Sequence, residues 1–344
     1  MPMVALGRGL ARRGHDVAVL GSAPVVTAVE AEGLAFRPCA GFFAEHGDLA
    51  AALEEHPADV LVVDYMLTAA LSAAEHTALP TVALVHTLYQ CVAVAPDSPM
   101  EMAAGLDDVN AHRAELGLPA VQRVTDLLDR VARVIVLATV ELDQPDVPTP
   151  TNVRHVGPLL QDAGTDAGWT PPGGQGEDPL VVVSLGTTPM DEAPAIERVL
   201  RALGGLPVRG FVTVGDHLDP SSFLCPPNAW VDRYVRHTAV LPHADLLVTH
   251  AGLGSVSAAL VYGVPMVCLP LGREQPSNAA KVEAVGAGCT LGPEAPADEV
   301  AAAVTAVLDD PSYRERAAVM ATAIQAAGAG ERALRECEAL LPPR

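Results

Sequence analysis

Eight short runs of mostly β-branched residues constrain the fold of this chain more than any other feature of its sequence. They lie at residues 16–20, 59–63, 81–85, 133–137, 179–184, 208–214, 245–249 and 265–269. Most of these runs are apolar throughout rather than alternating, which is typical of parallel strands that are covered on both faces. The segments between them are rich in Ala, Leu, Glu and Arg and often end at Gly or Pro, which predicts helices. This alternation predicts an α/β fold with doubly wound parallel sheets.

A segment rich in Gly, Pro and Asp interrupts this pattern at residues 159–178. Because a chain of 344 residues is long for one hydrophobic core, two domains are expected. The composition of the segment is typical of a linker, which divides the chain into a first half at 1–158 and a second half that begins at residue 179. Since ligands of such sheets bind beyond the carboxyl ends of the strands, two facing halves predict a cleft between them.

The charge and the cysteines argue against several classes of protein. A formal net charge of −21 disfavours binding to nucleic acid, which needs a basic face, and also to anionic membrane surfaces. No apolar run reaches the roughly 18 residues of a membrane span, and the start lacks the pattern of a signal peptide. The six cysteines are scattered without a CxxC pair, which indicates reduced thiols rather than a disulfide framework or a zinc site. We therefore expect a cytoplasmic protein that holds any phosphorylated ligand by local devices, such as a helix N-terminus.

The segment at residues 249–278 carries the clearest chemical signal. His250 follows the predicted strand 245–249, the turn AGLGS comes next, and a helix begins after it. The two glycines let the backbone approach a ligand, and we expect the amides of Gly254, Ser255 and Val256 to point out of the helix start. Ser255 is expected to cap this helix and to donate to a phosphate oxygen. The pattern predicts an anion site, and the alternative is an ordinary turn with a polar cap.

A second polar turn follows the next predicted strand and ends in Glu274 and Gln275. The carboxyl ends of adjacent parallel strands meet at one edge of a sheet, so His250 and this pair are expected on the same rim. A diphosphate on the first turn would leave its attached group near the second. There, a carboxylate and an amide could accept hydrogen bonds from sugar hydroxyls and donate to them.

These two segments resemble the donor-binding signature of the nucleotide-sugar-dependent GT-B glycosyltransferases of family 1, especially the bacterial enzymes that modify natural products. The resemblance is carried by RYVRHTAVLPHADLLVTHAGLGS and GVPMVCLPLGREQPSNA, which lie between residues 228 and 288. VVVSLGTTP at 181–189 resembles the first strand and loop of the family's donor domain. The sequence PMVALGRGLARRGHDVAVLG at the start resembles its first helix and second strand.

The family resemblance implies two facing Rossmann-like domains, with the acceptor-binding domain at 1–158 and the nucleotide-sugar domain at 179–320. It also implies that a C-terminal helix, within 321–344, crosses back to the first domain. Within the donor domain it implies that the phosphates are contacted by His250, Gly252, Gly254, Ser255 and Thr187. It implies that the sugar hydroxyls are bound by Glu274 and Gln275, and that the base is contacted by Tyr234 and Val235. No metal or cofactor is expected beside the nucleotide-sugar co-substrate, since no Asp-x-Asp triplet occurs.

Two departures from the family pattern bear on the donor. Where UDP-sugar enzymes commonly have a glutamate for the ribose hydroxyls, this chain has Ala258. Without that acceptor, a nucleotide with a 2′-deoxyribose loses less binding energy than one with a ribose, which favours dTDP over UDP. Glu274 replaces the more common aspartate, which lengthens the reach of the carboxylate toward the sugar.

The first domain departs from the family in its catalytic base. Members use a histidine in the loop after the first strand as general base, oriented by a carboxylate that Asp64 matches. That strand and histidine are absent here, so the resemblance predicts a base upstream of Met1. Asp64 could instead be a plain capping residue at the end of a strand. His86, which follows the predicted strand 81–85, is the alternative base or a residue of the acceptor pocket.

The resulting prediction is a metal-independent, inverting glycosyltransferase that moves a sugar from a nucleoside diphosphate to an apolar natural-product acceptor. Two alternatives share its sequence features. One is a nucleotide-sugar 2-epimerase, which has the same two-domain architecture. The other is a non-catalytic helper protein that retains the donor site and lacks the base.

Overall fold

The computed structural model describes most of the chain, in two compact units. The described residues are 2–22, 25–39, 46–93, 98–143, 148–160, 166, 168–174, 176–186, 189–328 and 330–342, without side chains at 46–48. Unit 1 comprises Met1–Leu159 and Ala327–Arg344, and unit 2 comprises Leu160–Ala326. No described helix is long and apolar enough to cross a membrane.

Unit 1 alternates short helices and strands. Its elements are α1 (Pro2–Arg12), β1 (Ala18–Gly21), α2 (Val26–Ala31), β2 (Ala35–Pro38), α3 (His46–Glu55), β3 (Leu61–Asp64), α4 (Thr68–Thr77), β4 (Thr81–Val85), α5 (Tyr89–Ala93), α6 (Pro99–Ala103), α7 (Leu106–Glu115), β5 (Arg133–Val136), α8 (Val140–Asp143) and β6 (Val153–His155). Its described strands form a two-stranded sheet, β1-β2, and a four-stranded sheet, β3-β4-β5-β6, with every pair parallel.

Unit 2 has one continuous sheet. Its elements are β7 (Leu180–Ser184), α9 (Ala193–Leu203), β8 (Arg209–Thr213), β9 (Ala229–Asp232), α10 (His237–Val240), β10 (Leu246–Thr249), α11 (Leu253–Val261), β11 (Met266–Cys268), α12 (Gln275–Ala284), β12 (Gly288–Thr290), α13 (Ala297–Asp309) and α14 (Pro311–Ala326). The six strands are parallel in the order β12-β11-β10-β7-β8-β9. A final helix, α15 (Glu331–Glu338), belongs to unit 1.

The predicted α/β class with parallel sheets is confirmed, and all eight predicted strands are present. Four further strands, β2, β6, β9 and β12, were not predicted, and each lies at the end of a sheet. Three of them are interrupted by polar or proline residues, as in Ala35–Pro38 and Val153–His155. A strand at a sheet edge has one solvated side and needs no continuous apolar run, so periodicity gives it little signal.

Apolar burial holds each sheet to its helices. In unit 2, Val181 and Val183 of β7 pack in one core cluster with Val199 of α9 and Val304 of α13, and all four are fully buried. In unit 1, α1 packs on both sheets, because Leu6 joins the core of the four-stranded sheet while Val4 joins residues around β1 and β2. Burying such a side chain stabilises the fold by about 1.5–3 kcal/mol.

Among the described residues the two sheets of unit 1 are separate, with β1 at an edge of one and β3 at an edge of the other. Both strands have the apolar sequence of interior strands, yet neither is covered like one. Val63 is the buried residue of β3 and β1 has no buried residue, whereas every residue of β4 is buried.

The C-terminal helix α15 is tied to unit 1 by ion pairs as well as apolar contacts. Arg13 pairs with Glu331 and, at 2.6 Å, with Glu338, while Arg133 lies 3.2 Å from Glu336. Leu334 of α15 packs against Gly9 of α1, where an added Cβ would lie 2.8 Å from the leucine side chain.

The described part of the predicted linker packs on unit 2 rather than standing free. The Trp169 ring lies 4.9 Å from that of Phe211 in β8, and Gly173 leaves space that Trp230 of β9 fills. The Asp166 carboxylate accepts a hydrogen bond from the backbone N–H of Arg236 at 3.0 Å. These contacts cover the β8–β9 side of the sheet, although the composition of the segment alone suggests only a spacer.

Candidate functional site

The topology of unit 2 defines where a ligand is expected. From β7 the chain crosses to β8 and β9 on one side, then returns to place β10 on the other side. The strand order therefore reverses between β7 and β10, and ligands of open parallel sheets bind at such a switch point, beyond the carboxyl ends of the strands. Gly186 follows β7 and His250 follows β10, so both lie at this point.

The turn after β10 has the predicted position but not the predicted cap. Gly252 is the N-cap residue of α11, no side chain caps the helix, and Ser255 lies inside its first turn. The amides of Ser255 and Val256 already donate to the Gly252 carbonyl, at 3.0 and 3.1 Å. The prediction that Ser255 caps the helix and that these two amides are free was wrong. With Gly252 as the N-cap, the helix starts three residues earlier than it would with Ser255 as the N-cap. The amides that precede Ser255 are therefore the ones that face outward.

His250 occupies a space that two glycines keep open. A Cβ added to Gly252 would lie 2.5 Å from His250 Nε2, and one added to Gly186 would lie 3.2 Å from the same atom. Burial lowers the pKa of His250 below its ordinary value, while nearby groups such as Glu274 and Glu192 act in the opposite direction. The ring is therefore neutral at pH 7, with Nε2 at the glycine turns where a phosphate would approach.

Backbone strain is concentrated in the three loops around this point. Asp191, Ala251 and Arg273 adopt positive φ angles of 57°, 63° and 55° without being glycines, and they lie in the loops after β7, β10 and β11. Ala251 is held in place by Asn278 of α12, which donates to its carbonyl oxygen at 2.9 Å. Each such residue costs about 1–3 kcal/mol, and such strain clusters at functional sites. This observation marks the rim of unit 2 independently of any sequence motif.

Glu274 and Gln275 lie on the same rim but differ in exposure and in hydrogen bonding. Glu274 is partly exposed at the N-cap of α12, whereas Gln275 is 2% exposed. The Gln275 side-chain oxygen accepts from the backbone N–H groups of Leu271 and Gly272, and its amide nitrogen contacts Met190 Sδ at 3.2 Å. The Glu274 carboxylate is thus partly exposed on the rim, while the Gln275 amide is engaged in shaping its own loop. Their predicted role in binding sugar hydroxyls stays a prediction.

The predicted base-binding residues follow β9. Tyr234 is 47% exposed and Val235 is buried. His237 begins α10 just beyond them and contacts Ser184 Oγ at the end of β7, at 3.2 Å. Burial, followed by the nearby His250, lowers the pKa of His237 to about 4, so this ring is neutral. Thr187, the remaining predicted phosphate contact, lies outside the described residues.

Ala258 lies in α11, one turn beyond Ser255, and is 1% exposed. A methyl group there offers no hydrogen-bond acceptor to a ribose hydroxyl. The preference for dTDP over UDP that rests on this position stays a prediction.

The carboxyl-end rim of unit 1 holds the predicted acceptor-side residues. Asp64 ends β3 and His86 follows β4, and His86 Nε2 lies 3.1 Å from Asp64 Oδ2. The second Asp64 oxygen accepts from the backbone N–H of Met66 at 3.0 Å, and Tyr65 meets the His86 ring edge to face. Both members of the pair are partly exposed. The structure thus brings together the two residues that were predicted to be an orienting carboxylate and an alternative base.

Of the further carboxylate–histidine pairs that were not predicted, two lie near the ends of strands. His155 at the end of β6 lies 2.7 Å from the buried Asp143, which also accepts from the backbone N–H of Tyr89 at 2.8 Å and so fixes the start of α5. In unit 2, His217 is hydrogen-bonded to Glu192. Each member follows or precedes a different strand, so no local motif joins them. The sequence signal for His217 was that it comes three residues after the end of the predicted strand 208–214.

No group of three or more His, Cys, Asp and Glu side chains is arranged to hold a metal ion in the part of the chain that the structure describes. The site of unit 2 therefore consists of imidazoles, glycine turns and a carboxylate. Such groups can hold a diphosphate and orient a sugar.

Comparisons with known proteins agree with this arrangement. The family model described as "UDP-glucoronosyl and UDP-glucosyl transferase" matches residues 122–325. The chain is 31% identical to the 4'-demethylrebeccamycin synthase of Lentzea aerocolonigenes over 303 residues, which are 79% of this chain and 71% of that protein. It is 32% identical to the oleandomycin glycosyltransferase of Streptomyces antibioticus over 192 residues, which are 55% of this chain and 44% of that protein.

Among solved structures, the kitacinnamycin glycosyltransferase superposes with a TM-score of 0.84 at 26% identity, covering 99% of this chain and 95% of that one. The fold and the site therefore define a glycosyltransferase of the GT-B class. Within that class, the chain belongs to the UDP-glucuronosyl and UDP-glucosyl transferase family. It spans less than half the length of the oleandomycin enzyme.

Proposed function

We propose that this protein is an inverting glycosyltransferase that moves a sugar from a nucleoside diphosphate to an apolar small-molecule acceptor, without a metal or cofactor. The observation that carries the proposal is the placement of His250. Its ring nitrogen lies beside Gly186 and Gly252 at the switch point of a parallel sheet, in a chain that belongs to a transferase family. An imidazole and helix-start amides can bind a diphosphate and stabilise it as it leaves.

The donor is proposed to lie along the carboxyl ends of the strands. His250, Gly252, Gly254 and Ser255 would meet the diphosphate, with Thr187 as a further contact. Tyr234 and Val235 would meet the base on the β9 side, while Glu274 and Gln275 would meet the sugar on the β11 side. Gln275 would have to exchange a contact with its own loop for a sugar hydroxyl, so we expect the loop at 271–275 to adjust on binding.

We propose dTDP rather than UDP as the nucleotide. Ala258 is what supports this preference, since it offers no acceptor where UDP-sugar enzymes commonly have a glutamate. A ribose 2′-hydroxyl would be left without a partner there, whereas a 2′-deoxyribose loses nothing.

In the acceptor-side unit, Asp64 is proposed to position the general base. The base takes the proton of the acceptor hydroxyl, the freed oxygen attacks the anomeric carbon from the face opposite the diphosphate, and the bond to the diphosphate breaks. The sequence predicts that this base lies upstream of Met1. Among the described residues, His86 is the histidine that Asp64 holds, at 3.1 Å. Both candidates use the same carboxylate.

An apolar natural product is proposed as the acceptor. Two relatives that match over most of this chain are named for rebeccamycin and kitacinnamycin, which supports a natural-product acceptor for this protein too. The acceptor can be sought by screening a panel of hydroxylated aromatic and polyketide compounds for transfer of the sugar.

A calorimetric screen with dTDP, UDP and their glucose derivatives tests the proposal. We expect dTDP to bind more tightly than UDP, and transfer to be detected with at least one acceptor of the panel. The proposal fails if the protein, also when extended by the upstream residues of its reading frame, binds neither nucleotide. Formation of free epimerised nucleotide sugar without acceptor would instead indicate a 2-epimerase, and donor binding without turnover a helper protein.

A further inference from the structure

A second histidine lies on the donor rim of unit 2, and the proposed function leaves it without a role. His217 follows β8, and its Nε2 is hydrogen-bonded to Glu192, which stands between β7 and α9. Neither residue belongs to the segments that carry the family resemblance.

Glu192 is placed to hold this histidine rather than to cap a helix. It is the N-cap residue of α9 but makes no side-chain cap, and it is 2% exposed. One carboxylate oxygen accepts from the backbone N–H of Met190 at 2.8 Å, and the other contacts His217. Burial raises the pKa of Glu192, but the backbone N–H groups and the histidine outweigh it and leave the pKa below its ordinary value. A buried, ionised carboxylate with both oxygens bonded fixes the ring that it contacts.

The free edge of the His217 ring lies close to the switch point. A Cβ added to Gly215 would lie 3.2 Å from both Cε1 and Nδ1 of His217, and 3.4 Å from the Gly186 carbonyl oxygen. Gly186 in turn borders His250. Glycines therefore stand between the two imidazoles, and the His217 side chain keeps 24% of its surface exposed. Since Glu192 takes Nε2, the ring offers Nδ1 to a ligand.

The order of the strands indicates which part of a donor would contact Nδ1 of His217. Adjacent strands lie about 4.8 Å apart, so β11 and β9 are separated by about 19 Å, which is the scale of an extended nucleotide sugar. In the order β11-β10-β7-β8-β9, Glu274 follows the first strand, His250 the second, His217 the fourth and Tyr234 the fifth. His250 and His217 thus flank the middle of the row, with His217 nearer to the nucleoside end.

We infer that His217 binds the α-phosphate of the nucleoside diphosphate through Nδ1, and that Glu192 is its positioning residue. This inference rests on the proposed function and adds a phosphate contact from outside the motif. With Nε2 donating to Glu192, Nδ1–H would be the donor to the phosphate oxygen, which is a local contact in a chain whose formal net charge is −21.

The test is a calorimetric series with thymidine, dTMP and dTDP on wild type and His217→Gln. We expect His217→Gln to weaken dTMP and dTDP by about 10-fold or more, the scale of one hydrogen bond to a charged group, and to leave thymidine within about twofold. The matched control is His243→Gln. His243 is a histidine of the same unit, but it stacks near Trp169 and precedes β10, at the opposite ends of the strands, so all three affinities should be unchanged.

Glu192→Gln separates positioning from a general effect on folding. We expect it to lower the affinity for dTMP relative to thymidine, and to have no further effect on that ratio when His217→Gln is already present. A mere loss of stability would lower the melting temperature without changing the ratio, and that result would refute the role of Glu192.

The remaining outcomes are equally distinct. If His217→Gln leaves dTMP and dTDP unchanged, or weakens thymidine as much as dTMP, the inference is wrong while wild-type binding of dTDP still supports the proposed function. If the wild type binds neither dTDP nor UDP, the proposed function and the inference both fail.

Discussion

In both units, polar side chains lie at the carboxyl ends of parallel strands, but the sheets that carry them differ. In unit 2, His250 stands over the middle of a continuous six-stranded sheet, and its neighbouring loops are fixed by Asn278, Gln275 and Glu192. In unit 1, Asp64 ends β3, where the four-stranded sheet stops. The rim of unit 2 stands over interior strands of its sheet, whereas the rim of unit 1 includes the end of an edge strand.

This difference indicates a division of the chemistry. The rim of unit 2 has what a diphosphate needs, namely a neutral imidazole, open glycine turns and a nearby carboxylate for the sugar. The rim of unit 1 has a carboxylate and a histidine in contact, a pair that can move a proton. We therefore expect variants of unit 2 to change binding, and variants of unit 1 to change turnover.

The largest expected effect belongs to Asp64→Asn. Removing the carboxylate that orients the base should slow transfer by about 100-fold or more, the usual contribution of general-base catalysis, with donor affinity unchanged. Initial rates at saturating donor and calorimetry with dTDP check the two halves of this statement. A parallel His86→Gln variant locates the base, because an equal loss identifies His86 and a clearly smaller loss identifies a residue upstream of Met1. Weakened dTDP binding in Asp64→Asn would break the division between the units.

His250→Ala should have the opposite signature. Loss of the imidazole beside Gly252 is expected to weaken dTDP by about 100-fold, because a hydrogen bond to a charged group is lost at the centre of the diphosphate site. Calorimetry measures the loss, and His243→Gln again serves as the control of the same residue type. Unchanged affinity for dTDP would contradict the placement of the phosphates.

His237 predicts a pH dependence of stability that is confined to unit 2. Its pKa of about 4 lies below the value of an unfolded histidine, so the unfolded chain binds more protons and stability falls as the pH falls from about 6.5 toward 4. Between pH 7 and pH 5 the free energy of unfolding should drop by about 2 kcal/mol on account of this residue.

Urea unfolding followed by tryptophan fluorescence measures that drop, because both tryptophans, Trp169 and Trp230, belong to unit 2. His237→Gln should remove this part of the pH dependence, and a slope as steep as that of the wild type would show that other groups cause it.

The smallest expected effect is the exchange of nucleotide preference by Ala258→Glu. A carboxylate at this position gives a ribose 2′-hydroxyl an acceptor, so the affinity for UDP relative to dTDP should rise by about 10-fold. Ala258→Gln is the matched control, since it fills similar space without the charge and should shift the ratio less. An unchanged ratio in Ala258→Glu would remove the support for dTDP.

Much of this architecture could be predicted because most of its strands have a clear sequence pattern. The runs at 81–85, 179–184 and 245–249 are continuous and β-branched, as buried parallel strands must be, and each is a strand in the structure. The edge strands β2, β6, β9 and β12 were missed because one solvated side relaxes the need for apolar residues. Within the site, the position of His250 followed from its strand, but the glycine N-cap of α11 did not, since Gly and Ser are both common at helix starts.

The sequence by itself determined the parallel α/β class, the place of His250 at the end of a strand, and the turn that carries Glu274. These are local consequences of hydrophobic pattern and turn chemistry, which adjacent residues encode. Only the tertiary structure decided which side chains meet. It placed His86 on Asp64, turned Gln275 into its own loop, and joined His217 to Glu192 across 25 residues. Pairings of this kind depend on the order of strands in a sheet and on the burial of a carboxylate, and neither is written in any single segment.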